Sequence, residues 1–238
     1  MRTFLNIAFV LSLTGIFVSC SEPEEVNPEI GFSQQIKNFV PDSTIQMLRD
    51  MGLEVHEGIQ PPNIEGVYHA SPNLMLSSSV PNEIYKEGEQ FADYRYQFRD
   101  QNMEKLTISL DSKGMFVGTN KVISEKTGQG AFLSGYGQEF SAFIILDGYS
   151  LKGSDTTWHQ SLEVISGTIT TDGIENFQMA VLLLDDYGDP HNFLIPINTG
   201  RAFHDGDSLA SSKNSFREIL IESSENSASN VLTQMGNY

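Results

Sequence analysis

The sequence is short of cysteine, of basic side chains and of long apolar runs, and each shortage removes a class of protein. With a single cysteine, Cys20, in 238 residues, no intrachain disulfide and no multi-cysteine metal site can form. Lys and Arg number 14 against 31 Asp and Glu, a formal net charge of −17. Such a surface repels phosphate backbones and anionic headgroups, so nucleic acid is not an expected partner and no basic patch is available to dock on anionic lipid. The one extended apolar run, residues 4–18, is shorter than the about 20 residues a helix needs to cross a bilayer. Beyond Gly66 no amphipathic helical period of about 10–15 residues recurs, which disfavours a parallel α/β architecture with its crossover helices. The chain also has no G-x-S-x-G elbow, no H-E-x-x-H, no phosphate-binding loop and no G-x-G-x-x-G.

What is present starts with the surroundings of Cys20. Arg2 supplies a positive start, residues 4–18 an apolar core, and Val18-Ser19 compact residues just before the cysteine, in the context F-V-S-C. The segment resembles a bacterial lipoprotein signal peptide with its lipobox. That resemblance implies cleavage after residue 19, a diacylglyceryl group on the Cys20 thiol and permanent attachment to a membrane, since two or more acyl chains anchor stably. The acidic stretch S-E-P-E-E, residues 21–25, resembles the export signal of surface-displayed Bacteroidota-type lipoproteins, which implies the outer face of an outer membrane.

The rest divides into a tether (20–41), a short helix and lead-in (42–57), one large β domain (58–222) and a polar tail (223–238). In the tether, Ile30, Phe32, Ile36 and Phe39 offer a face for docking a short helix. Residues 44–51 place Ile45, Leu48 and Met51 on one face behind the N-cap candidates Asp42 and Ser43, and Gly52 stops the helix. From Gly66 the pattern becomes short runs bounded by turn residues. Tyr94, Tyr96 and Phe98 alternate with Asp93, Arg95, Gln97 and Arg99, which predicts a half-buried strand. Strands are also predicted at 66–71, 74–79, 106–110, 115–123, 131–135, 139–146, 162–170, 177–184, 193–197 and 215–221. Turns are expected at Asp111-Ser112-Lys113-Gly114, at Asp147-Gly148 and at Thr171-Asp172-Gly173. In the stretch 177–184 both faces are apolar, so this strand should be buried on two sides, with the N-terminal helix covering the outer one. Roughly nine to eleven strands at this spacing define an all-β fold, an antiparallel barrel or a sandwich. The layout of a helix followed by a meander is similar to lipocalin-like barrels, in layout only.

Candidate sites are few. Aromatic rings with polar tips suit a ligand-lined cavity or a sugar-stacking platform; Tyr94, Tyr96, Tyr136 and Trp158 are the ligand-binding candidates. Asp185, Asp186 and Asp189 in D-D-Y-G-D-P-H could offer oxygen ligands to calcium, the one cofactor considered. Asp, Gly and Pro are equally what a tight turn uses, and the turn needs no ion. The cluster His204-Asp205-Gly206-Asp207 reads the same way. The five histidines lie far apart, without metal-ligand spacing. The sequence therefore points to a non-catalytic binding module for a small apolar ligand, a glycan or a partner protein. A hydrolase assembled from loops would instead bring two of His69, His159, His191 and His204 together with a carboxylate, and a structural or adhesion component would show no cavity.

Overall fold

Alternation along the strands sets the architecture. A computed structural model describes residues 31–216; Cys20, the acidic stretch 21–25 and the tail beyond 216 lie outside the described residues. Two short helices, α1 (Gln34–Phe39) and α2 (Asp42–Asp50), precede eleven strands. These are β1 (Ile59–Gln60), β2 (Gly66–Ala70), β3 (Asn73–Ser78), β4 (Asp93–Asn102), β5 (Thr107–Met115) and β6 (Val122–Tyr136). They continue with β7 (Glu139–Lys152), β8 (Asp155–Ile169), β9 (Gly173–Asp185), β10 (Gly200–Asp205) and β11 (Leu209–Lys213). The fold is all-β.

Eight strands close a ring in the order β2-β4-β5-β6-β7-β8-β9-β11, because β11 pairs with both β9 and β2. Closure removes the exposed edges of an open sheet. Strand β9 forks. Its first residues, Gly173–Glu175, pair with β11, whereas Gln178–Leu182 pair with β10, which carries β3 on its far side. The edge of β3 meets the segment leading into β4 through backbone bonds of Met75 and Asn73 with Glu89 and Phe91. Strand β1 is the exception to the antiparallel pattern, running parallel to the end of β6.

Two apolar clusters lie on opposite sides of the wall. Inside the barrel, Phe98, Ile108, Leu110, Leu133, Phe140, Ile144, Ile165 and Phe177 fill the end where β4 finishes and β5 begins. Outside, Ile36, Leu48 and Leu53 from the helical segment pack on Phe143, Leu162, Val164, Ala180 and Leu182. Strand β9 is thus apolar on both faces, as its sequence indicates, with Met179 inside and Ala180 and Leu182 under the helices. At about 25 cal/mol per Å2, burying each Leu or Phe contributes roughly 1.5–3 kcal/mol, so burial on both faces of the wall stabilises the fold.

Several local expectations are corrected. No turn occurs at Asp111–Gly114: β5 runs through it, Asp111 pairs across to Gln97 and Thr127, and the chain reverses at Phe116–Lys121 instead. Nor is there a turn at Asp147-Gly148, which lies inside β7. Residues 193–197 form a loop and not a strand, while β10 and β11 were not anticipated. Helix α2 begins at Asp42, two residues before the predicted start. Pro41 occupies the N-cap without a side-chain bond, and its carbonyl accepts from Thr44 and Ile45. Proline's fixed φ and its own missing N–H make this start inexpensive.

Candidate functional site: a polar cavity at the barrel mouth

The inward residues of the barrel change character from one end to the other. Along β7 the series is Phe140, Ala142, Ile144, Leu146, then Gly148 and Ser150. Along β8, moving the opposite way, Ile165 is followed by Glu163, Ser161, His159 and Thr157, all four of them buried. One end of the interior is therefore oily, and the mouth formed by the start of β4, β6 and β8 and the end of β5, β7 and β9 is polar.

Lys126 on β6 and Glu163 on β8 are the charged pair of this mouth. Lys126 Nζ donates to Glu163 Oε1, with side-chain exposures of 4% and 0%. Burial works against the Lys126 charge, but Glu163 outweighs it and raises the Lys126 pKa above its ordinary value. The Lys126 ammonium also lies 5.7 Å from the centre of the Tyr94 ring. Glycines make this possible. In the β6–β7–β8 ladder, Lys126 is opposite Gly148 and Gly148 is opposite His159. A Cβ on Gly148 would collide with the Lys126 stem, so the missing side chain is the space the lysine occupies. Gly114 on β5 plays the same part for Tyr94 and Ser124, where a Cβ would lie 3.3 Å from the Tyr94 ring.

Four alternate residues of β8 each hold a buried polar atom without a partner: Thr157 Oγ1, His159 Nδ1, Ser161 Oγ and Glu163 Oε2. Ser112 Oγ, on the facing strand β5, is in the same state. Buried polar atoms are ordinarily paired, and leaving one unmade costs about 1–3 kcal/mol. A row of them along one inward face marks a place built for hydrogen-bonding guests. Burial, and after it the Lys126 charge, push the His159 pKa down to about 4, so its ring is neutral near neutral pH.

Of this row His159 borders a cavity of about 120 Å3, lined on its polar side by Tyr94, Lys126, Ser150 and His159. Its apolar side is Phe91, Val181, Leu183, Phe193 and Phe203. Arg201 stands at the edge, held by a two-bond pair to Glu83 (2.7 and 3.2 Å) and lying 4.9 Å from the Tyr85 ring centre. Burial opposes the Glu83 charge, but hydrogen bonds from Arg201 and Ser78 prevail and hold its carboxyl below the ordinary value.

The candidate residues of the sequence separate accordingly. Tyr94 lines the cavity. Tyr96 is fully buried one step deeper, stacked on Tyr94 at 5.8 Å and donating to Met179 Sδ. Tyr136 is exposed at the β6–β7 turn, at the other end of the barrel. Trp158 is 59% exposed on the outer face of β8, edge-on to Tyr149 at 5.4 Å. Asp185 and Asp186 accept from the backbone of Tyr187 and Gly188, and Asp189 accepts from Leu194 N at 2.9 Å. These carboxylates shape the turn that sets Phe193 and Leu194 against the cavity. Among the described residues no three His, Cys, Asp or Glu side chains gather to hold a metal ion. Of the histidines, His159 alone lines the cavity; His56 lies beside Glu139 and His191 beside Asp155. Lys126 on β6 and Glu163 on β8 were not among the sequence candidates, because a charged side chain in a strand looks, in sequence, like part of a solvent face; His159 was one of the four histidines considered for a hydrolase.

Comparison with protein-family models, curated proteins and solved structures returned no match.

Proposed function

We propose that this protein is a lipid-anchored binding barrel of the bacterial envelope that holds a small molecule in the mouth of its barrel. The observation that carries the reading is the mostly apolar cavity with a few polar groups, among them neutral His159 with its unpaired Nδ1 and Lys126, which Glu163 holds from beneath. Ligand sites are typically apolar concavities with a few placed polar groups, and this one has that composition. A hydrolase of the kind considered would bring two histidines together with a carboxylate, and among the described residues His159 is the one histidine that lines the cavity. Anchoring through Cys20 at the outer membrane, facing outward, completes the proposal; its support is the lipobox context and the acidic stretch after it.

Native mass spectrometry of the full chain extracted from its own envelope tests the binding reading: a reproducible small-molecule adduct is expected, and a bare protein under conditions that preserve noncovalent complexes contradicts it. Metabolic acyl labelling tests the anchor, which Cys20→Ala should abolish; continued labelling of that variant removes the proposed attachment.

A glycan is the second reading, favoured by one observation on the outer wall. Trp158 and Tyr149 flank a shallow depression of about 300 Å3 that also presents Asp111, Glu125 and Asp147. An exposed ring beside carboxylate acceptors is a sugar-stacking arrangement.

A further inference from the structure

The Lys126–Gly148–His159 row limits what the cavity can take. Lys126 is a donor only, with two N–H groups left beyond the one given to Glu163. His159 Nδ1 is buried and without a partner, and neutral imidazole can present that nitrogen as an acceptor. Both side chains point inward from strands that flank β7, across a glycine that puts nothing between them. A group that accepts from one and donates to the other satisfies both, and a hydroxyl is the smallest that does.

The charge balance excludes more. Lys126 is compensated by Glu163 and Arg201 by Glu83, and the further charge that reaches His159 is the Asp189 carboxylate of the adjoining turn, so neither cation at the cavity is left to pair with an anionic guest. A carboxylate guest would add an uncompensated negative charge to a buried site and an ammonium guest a positive one, each opposed by desolvation. Size gives the last limit. An apolar cavity of about 150 Å3 admits benzene, and this one measures about 120 Å3 and is partly open to solvent.

We propose that the cavity takes an uncharged, ring-sized alcohol or phenol, its hydroxyl between Lys126 Nζ and His159 Nδ1 and its ring among Phe91, Val181, Leu183, Phe193 and Phe203. This inference rests on the cavity being the binding site. The order of affinities within a matched series distinguishes the two.

The series is benzyl alcohol, toluene, benzoate and benzylammonium, titrated calorimetrically at pH 7.5 into the mature chain carrying Cys20→Ser. Benzyl alcohol should bind about tenfold more tightly than toluene, the worth of one net hydrogen bond of about 1.4 kcal/mol, and more tightly than either ion. His159→Phe should bring the alcohol down to the toluene level and leave toluene unchanged; circular dichroism verifies that the variant is folded. The wild-type series stands without it. Benzoate or benzylammonium binding as well as the alcohol overturns the inference but keeps the cavity as a site. Equal affinity for toluene and benzyl alcohol overturns it in favour of a purely apolar guest. Failure of all four overturns the inference and counts against the cavity itself.

Discussion

Lys126 and Glu163, 37 residues apart in the chain, meet inside the barrel, where Nζ of one donates to Oε1 of the other and neither is open to solvent. A pair like this is seldom a source of stability: desolvating both ions offsets most of their attraction, and apolar replacements of similar volume are often neutral or better. Its placement beneath the cavity is better explained by binding than by folding.

Breaking the pair and removing it should therefore have opposite results. Lys126→Met leaves Glu163 charged and buried, and should destabilise by about 3–5 kcal/mol. The double variant Lys126→Met, Glu163→Leu should return to wild-type stability or exceed it by about 1–4 kcal/mol. Urea unfolding of the three proteins decides this. A double variant as unstable as the single one would show that the pair holds the barrel together.

His159 gives the protein an acid-sensitive stability. Its folded pKa is pushed down to about 4 against an ordinary value of 6.5, so between these values the unfolded chain binds a proton that the folded one does not. Its contribution is complete above pH 6.5 and is lost as pH falls towards 4, on the order of 3 kcal/mol at 1.36 kcal/mol per pH unit. Asp205 acts the other way. Burial above all pushes its carboxyl up to about 7, which lowers stability as pH rises through the same range. The His159 part is isolated by comparison with His159→Gln: the stability difference between the two proteins should shrink from pH 6.5 to 4. A constant difference would mean that the ring takes up protons freely when folded.

How far the sequence shows this molecule depends on the range of the interaction that decides each feature. The two-sided apolar pattern of β9 was legible because Met179, Ala180, Val181 and Leu182 alternate within a few residues and both clusters claim them. Asp147-Gly148 was not. As a dipeptide it is a turn signal, and what keeps it extended is pairing on both sides with residues distant in sequence, Lys126 and Thr127 on β6 and His159 and Gln160 on β8. Strand β8 failed differently. The predicted run begins at Leu162, whereas β8 begins at Asp155, so His159 and Ser161 lay outside any predicted strand. The apolar face, Leu162 and Val164, is covered by the helices from outside, and the polar face, His159, Ser161 and Glu163, looks into the barrel. Which face of an alternating strand is inside is set by the helices packed on the other one, and that is not local information. Tyr94 was found because aromatic residues with polar tips are noticed one at a time; the cavity around it comes from six strands and a loop.

Gly148→Ala should show how much the mouth relies on that empty position. The added methyl would press on the Lys126 stem and on the Glu125 backbone, and overpacking of this kind costs about 1–3 kcal/mol. A lowered melting temperature with an unchanged far-ultraviolet spectrum is expected. Wild-type stability would mean that the β6 backbone at Glu125 and the lysine stem both shift without loss.

Trp158 separates the two binding readings. Since its ring is 59% exposed, Trp158→Ala should alter stability by no more than about 1 kcal/mol and leave binding in the cavity unchanged, while abolishing any glycan retention on the outer wall. Glycan-array binding of the two proteins is the measurement. Retention that survives the substitution removes the ring from that reading.

The most direct test of the cavity fills it. Val181 lines the apolar side, and Val181→Trp would place an indole where the guest belongs, with circular dichroism to establish that the barrel still forms. Native mass spectrometry of wild type and variant, both extracted from the same envelope, should show the small-molecule adduct on the first and not on the second. An adduct of equal mass and occupancy on both proteins would contradict the account and move the ligand out of the barrel.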